Sequence, residues 1–499
     1  MNVNLTDEQK NAYKKLCKFI KNKEQNELLL IGYAGTGKTT LVTKFINDMI
    51  NNKKCKKIAI VAPTHKAVNI AKSKLLENAV ENIQKKVEIT TIHSLLCYTS
   101  YVDTLGNKYF AKGKVTANLS KFDLIIIDEC SMLSNQIIKD IDEHKINTKL
   151  LYVGDPAQLP PVKQQDSKIF NKNIENIKLE TIVRTKNNII QQVSQAHREW
   201  VFNSNKMPDL SKFICNDVKP EMYKNKHVWL DKFVKIIKSN GEMNADNSII
   251  LTWRNERCDE YNNYIRKKLF NKENLFKYEV NEILIMDDFH KIKDTTFYSS
   301  EKIKTILVKE TEIEFEKFKE IKESMLPINV VKLLTKFIES VNVILSTKLD
   351  IYSIDIKKMA DIIKNEGEIP IYNINVMKSV KKFEDMKKNF FEKIYNFQHE
   401  SQDLIAKIKD SDDNKTNYLT DLNKKTNAFW RKWNENVIDK IANINYGYTI
   451  TTHMSQASSF INVFIDVDDI LSNSNRNESL KCLYTAITRC VNTIDFLLP

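Results

Sequence analysis

A chain of 499 residues, 42% hydrophobic and 9% aromatic, has the composition of a folded protein of two to four domains and excludes a disordered one. No apolar run is long enough to span a bilayer, and Met1–Glu8 is polar and acidic where a signal peptide is basic and then apolar, so a membrane anchor and export are not expected. Eight scattered cysteines without a C-x-x-C pair argue against a zinc or disulfide framework and for an intracellular setting, while the net charge of +13 fits either a polyanionic partner or a lysine-rich solubilising surface.

The first predicted strand, Leu28–Ile31, runs into Gly32-Tyr33-Ala34-Gly35-Thr36-Gly37-Lys38-Thr39, a full match to G-x-x-x-x-G-K-[ST]. A helical pattern (Leu41, Phe45, Ile46, Ile50) follows. Glycines let backbone N–H groups turn inward around phosphates, and the helix adds its positive end. Gly32, Ala34, Gly35, Thr36, Gly37, Lys38, Thr39 and Thr40 are therefore the expected nucleotide-binding residues. Lys38 would reach the β- and γ-phosphates, and the Thr39 hydroxyl would ligate Mg²⁺. The implied cofactors are ATP and Mg²⁺.

Ile58–Val61 is the next strand. From Leu95 the strand–helix alternation is interrupted. A turn signal at Asp103–Asn107, flanked by Tyr98, Tyr101, Tyr109 and Phe110, predicts an aromatic β-hairpin. Those rings have two readings, core packing or a wedge on which bases stack. Leu124–Ile127 then ends in Asp128-Glu129. Asp128 suits a Mg²⁺ ligand, and Glu129 suits the base that orients or deprotonates a water. A glutamate beside the magnesium aspartate favours water as the nucleophile, hence nucleotide hydrolysis. Leu150–Val153 leads into Gly154-Asp155-Pro156-Ala157-Gln158-Leu159-Pro160-Pro161, which holds three of the nine prolines.

This alternation predicts a parallel sheet covered on both faces, with ligands at the carboxyl ends of its strands. A second α/β unit starts near Leu179, with strands Ser248–Leu251 and Phe460–Ile465. Between them lies a long lysine/glutamate-rich insertion. Helical spacing covers Ile313–Met325, to be ended by Pro327, and Ser379–Lys407. Ile303–Val308 and Ile369–Val376 read as strands, and Asp410–Thr416 as an exposed loop. Trp253, Phe429 and Trp430 suit core packing or base stacking.

In this order the motifs resemble superfamily 1 DNA helicases of the RecD/Dda-like branch, over roughly the first 190 residues and the last 55. The resemblance implies two RecA-like parallel-sheet motor domains, with a small β insertion in the first and a large SH3-like plus helical insertion in the second. The boundaries expected are 1–94 and 119–178 for the first motor, 95–118 for the hairpin, 179–286 and 445–499 for the second motor, and 287–444 for its insertion.

The resemblance also assigns roles. Gln9 would read the adenine. Pro63, Thr64 and His65, then Thr91 and His93, would hold DNA from the first motor, and Thr452, His453 and Ser455 from the second. Taken singly, the three histidines read better as polar loop groups. Gln158 would sense the γ-phosphate, and Arg184 and Arg489 would be arginine fingers that join Lys38, Asp128 and Glu129 in the catalytic set. One departure stands out: Met454 and Ala457 replace the lysine and glycine of the family's H-K-S-Q-G-S pattern. Alanine lacks glycine's freedom at positive φ, so a reshaped loop is expected there.

The activity implied is an ATP-dependent, monomeric DNA helicase moving 5′ to 3′ on single-stranded DNA and opening duplex junctions in replication, repair or recombination. The insertion would recruit replication or repair proteins. An AT-rich coding composition suggests a viral source, and the expected site of action is the cytoplasm, nucleus or a viral replication site. Two alternatives stay open: a translocase or RNA helicase that does not unwind DNA, and a nucleotide-gated scaffold. Glu129, Gln158, Arg184 and Arg489 argue against the scaffold.

Overall fold

The computed structural model describes residues 5–499 apart from 78–85, 103–107, 114–115, 146, 162–163, 165, 184–187, 204–206, 214–219, 240–245, 320–324, 365–366 and 410. Among the described residues, no helix is long and apolar enough to cross a membrane.

The first half supplies strands β1 (Glu27–Gly32), β2 (Ile58–Ala62), β3 (Val87–Thr91), β4 (Tyr98–Val102), β5 (Lys108–Lys112), β6 (Leu124–Ile127), β7 (Lys149–Gly154) and β8 (Asn176–Leu179). Six of them form one parallel sheet in the order β3-β2-β6-β7-β1-β8. Strands such as Leu124–Ile127 are buried along their whole length. That is why they read as continuous apolar runs without alternation. One apolar cluster lies on each face, with Phe45 and Ile46 in one and Leu95 and Ile141 in the other. Strands β4 and β5 stand apart as an antiparallel hairpin pairing Tyr98 with Lys112 and Tyr101 with Tyr109. The hairpin is pinned by the Tyr98 hydroxyl, which donates to Asp140. The side chains of Tyr101, Tyr109 and Phe110 lie outside the described residues.

The second sheet begins with β9 (Glu221–Tyr223) and β10 (Ser248–Thr252). The chain then leaves it for β11 (Ile283–Met286), β12 (His290–Ile292), β13 (Thr295–Phe297), β14 (Lys302–Ile313), β15 (Leu349–Lys358), β16 (Tyr372–Met377) and β17 (Ile444–Tyr446). It returns with β18 (Thr449–Thr451), β19 (Phe460–Asp466) and β20 (Cys490–Leu497). The second parallel sheet has the order β18-β10-β19-β20-β9.

The intervening strands form an antiparallel sheet, β16-β15-β14-β11-β17, with β12-β13 as a separate hairpin. A bridge from Asn375 to Ile441 draws its outermost strand toward the segment before β17. This sheet begins before residue 287, because β11 pairs with both β14 and β17. The insertion's helices, Ile328–Leu345, Val380–Lys407 and Asp412–Trp433, pack into an aromatic core. Phe390 stacks on Trp433 at 3.9 Å, and Phe318 stacks on Phe429 at 5.5 Å. Phe429 and Trp430 therefore serve the core, and Trp253 packs against the core of the second lobe.

Three local expectations are corrected. Ile313 closes the long strand β14, and Glu314–Lys319 is not helical. Of the residues that carry the spacing, Phe318 is buried and Met325 exposed, and Ile321 lies outside the described residues. Pro327 starts a helix, as N-cap of Ile328–Leu345, where its missing N–H costs nothing. The polar stretch from Ser411 opens a helix as well: Ser411 accepts from Asn414 N at 3.3 Å, an N-cap easily taken for a loop.

Candidate active site

The glycine loop follows from β1. Gly35 and Gly37 sit at φ 84° and 76°, conformations that side chains disfavour. A Cβ on Gly37 would also lie 2.5 Å from Gln9 Nε2. The turn delivers Lys38 to the start of the Lys38–Asn51 helix, where its ammonium donates to Gly32 O at 2.7 Å and Tyr33 O at 3.0 Å. Gln9 braces this loop from behind. Its Nε2 donates to Thr36 O at 2.9 Å, and its Oε1 accepts from Thr6 N at 3.0 Å. The buried Gln9 amide is thus engaged by protein at both ends and does not line the cleft.

Two strands away, β6 ends in Asp128, whose backbone N–H donates to Val61 O at 2.8 Å. Glu129 then turns left-handed, at φ 52°, and its N–H donates to Asp128 Oδ1 at 3.0 Å. Burial, and next the Glu129 charge, push the Asp128 carboxyl up to about 6. Two crowded acids that line the same cavity as Thr39 offer, with its hydroxyl, oxygen donors suited to a hard divalent cation, so Thr39 and Asp128 fit a Mg²⁺ site.

The second lobe completes the cleft. A cavity of about 260 Å³ is lined by the glycine loop with Lys38, Thr39 and Thr40, by Asp128, Glu129 and Gln158, and by Ala457 and Arg489. Arg489 is 3% exposed. Its Nη2 donates to Gln158 Oε1 at 3.1 Å, its Nε to Thr485 O at 3.1 Å and its Nη1 to Ser458 O at 3.4 Å. The contact is broad, because Ala157 and Leu159 of the first lobe pack within the core of the second. Arg184 lies outside the described residues, although Val183 before it reaches the loop, its N–H donating to Gly35 O at 2.7 Å.

The expected DNA residues divide. Thr64 and Thr91 cap helices, accepting from Ala67 N and Ser94 N, and Pro63 is half-buried beside them. His65 is exposed, and its ring meets that of Phe289 at 4.8 Å. His93 faces Tyr98 at 5.5 Å. Partial burial, which leaves His65 open on one side, holds both imidazoles below the usual histidine range, with His65 adding to the effect on His93. They offer ring faces more than positive charge. His453, half-buried 3.7 Å from Glu478, is also held low by burial. Thr452 and Ser455 are placed differently. Both are fully buried, with hydroxyls donating to Thr252 O and Thr452 O, so their side chains build the turn. Ala457 takes up the glycine conformation, φ 62°, so the loop keeps its left-handed turn at the cost of strain.

Sequence reasoning passed over Lys66, Phe289, Tyr484 and Arg198. Tyr484 lies five residues before Arg489, to which the resemblance gives a role, and could have been singled out. Phe289 and Arg198 carry no sequence signal, and their positions emerge only from packing.

Residues 18–164 match a family model described as an AAA domain. Over 493 residues the chain is 26% identical to the RecD subunit of the RecBCD enzyme of Buchnera aphidicola subsp. Schizaphis graminum, covering 93% of this chain and 69% of that one. The chain is similar to the superfamily 1 helicases of the P-loop NTPases, on their RecD-like side. An uncharacterized protein of Acanthamoeba polyphaga mimivirus is 29% identical to this RecD-like chain over 515 residues, 97% of this chain and 98% of the relative. A crystal structure of a Bacteroides Pif1 helicase in complex with ADP-AlF3 and single-stranded DNA overlaps 100% of this chain and 95% of its own, with a TM-score of 0.46 and 15% identity.

Proposed function

We propose that this RecD-like chain is an ATP-dependent DNA helicase that moves 5′ to 3′ along single-stranded DNA and unwinds duplex in replication, repair or recombination. The observation that carries the reading is the placement of Arg489. A guanidinium rooted in the second lobe lines the same cleft as the first lobe's glycine loop. Arginine fingers contribute about 10³–10⁵ in rate, so turnover depends on the lobes being together.

The chemistry follows from the residues around the cleft. Lys38 and the inward N–H groups of the loop bind the phosphates. Mg²⁺, held by Thr39 and Asp128, would neutralise developing charge on the phosphate oxygens. Glu129 accepts the proton of the attacking water, and its αL backbone aims its carboxylate into the cleft. Gln158, in contact with Arg489, ties the state of the site to the position of the second lobe. A strand of DNA held by both lobes is then passed along as the cleft closes and opens. The charge supports this track. Residues 287–443 are nearly neutral, so the excess of +13 sits almost entirely on the two lobes.

Strand displacement on duplexes tailed at the 5′ or the 3′ end tests the reading. The 5′-tailed duplex should open with ATP and magnesium. ATP hydrolysis stimulated by RNA and not DNA, or stimulated by DNA without displacement of either duplex, would refute it.

A further inference from the structure

The second lobe touches the glycine loop at another point, through Tyr484, which does not itself line the cavity. The Tyr484 hydroxyl accepts from Ala34 N–H at 3.4 Å and donates to Asp155 Oδ2 at 2.8 Å. Asp155 Oδ1 faces Arg198 at 3.1 Å, and the Arg198 guanidinium lies 4.0 Å from the centre of the Tyr33 ring. Tyr484 and Asp155 are fully buried. Burial and the Asp155 charge hold the phenol proton far more tightly than in water, so the hydroxyl stays a donor to Asp155 and an acceptor for Ala34.

The helix that carries Tyr484, Arg476–Ile487, has contacts at both ends. Near its start Glu478 lies 3.7 Å from His453, in the turn expected to meet DNA. Near its end Thr485 Oγ1 accepts from Leu159 N at 3.1 Å, beside Tyr484. The six steps from Glu478 to Tyr484 rise about 9 Å, so one rigid rod joins that turn to the glycine loop.

We propose that Tyr484 is a positioning residue that couples the DNA-side turn to the phosphate loop. Its hydroxyl ties Ala34 to Asp155, so a shift of the helix at Glu478 is felt by the loop that holds the phosphates. The hydroxyl does not line the cavity, so it acts on stimulation of turnover by DNA and not on nucleotide affinity. This inference rests on the proposed DNA-stimulated hydrolysis.

The test is steady-state hydrolysis by full-length Tyr484→Phe with and without a single-stranded DNA oligonucleotide, which removes one oxygen and leaves the buried ring. The ratio of stimulated to basal kcat should fall about tenfold, while KM for ATP moves less than about twofold. Glu478→Gln, at the half-exposed end of the rod, should lower the same ratio about threefold and keeps the test available if the buried variant folds poorly. A stimulated parent whose Tyr484→Phe variant keeps the full ratio overturns the inference alone. So does a variant whose KM rises while the ratio holds. A parent with no DNA stimulation overturns the proposed function, and the inference with it.

Discussion

Arg489 Nη2, in the second lobe, donates to Gln158 Oε1 of the first at 3.1 Å. Both side chains are buried, and the guanidinium is further fixed by Thr485 O and Ser458 O. A cation held this rigidly is preorganised, so little rearrangement is needed when charge develops on a phosphate. The pair joins the lobes at the place where the chemistry occurs. The expectations below follow from that junction and from the residues around it.

Glu129 holds an unfavourable left-handed backbone at the tip of β6, a conformation retained at functional sites despite its cost. Glu129→Gln keeps the shape and removes the base. ATP and DNA binding should stay within about twofold of the parent, while kcat falls by at least about a hundredfold. Titration with a fluorescent nucleotide and a labelled oligonucleotide, together with a turnover assay, checks both halves. Retained turnover would show that another group takes the proton.

Ala457 sits at φ 62° on the rim of the cleft. Alanine there is strained and glycine is not, so Ala457→Gly should stabilise the protein by about 1 kcal/mol, read as a higher denaturant midpoint with an unchanged slope. A lower midpoint would mean that the methyl's packing outweighs the strain.

Lys66 reaches Ser458 Oγ of the second lobe and, at 3.5 Å, Ser300 O of the insertion. Burial, and next the nearby Arg489 charge, push its ammonium down to about 7 from an ordinary 10.5. Between those two values the unfolded chain binds a proton that the folded chain does not, so stability rises with pH across that window. Below about 7 the burden is complete. Lys66→Met removes it, so the variant's stability relative to the parent should be greatest at pH 7 and below and should shrink as pH approaches 10. Parallel pH profiles from denaturant melts would contradict this. Lys302 is buried and depressed in the same sense, to about 8, and its charge adds to the depression of Lys66, so removing Lys66 relieves both.

Much of the first lobe was legible because its strands are short apolar runs ending in special residues. Gly35, Gly37 and Asp128 each stand where a strand must turn or stop, and chain order alone placed them near one another. The insertion was less legible. Its alternations of lysine, glutamate and apolar residues fit helix and strand alike, and Pro327 and Ser411 are start signals that also read as breaks. The expected DNA contacts were mixed for a related reason. For Thr452 and Ser455, a sequence cannot show that a hydroxyl is spent on its own turn. Contacts between lobes, such as Tyr484 with Ala34, join residues hundreds of positions apart and leave no local trace.

The most direct test of the shared cleft is DNA-stimulated ATP hydrolysis by Arg489→Ala beside the parent, with nucleotide affinity measured on both. The account requires at least about a hundredfold loss of stimulated kcat with ATP still bound, because the missing charge comes from the lobe that has to close. A variant that hydrolyses ATP at near the parent's rate would contradict it, leaving a first lobe that works without the second.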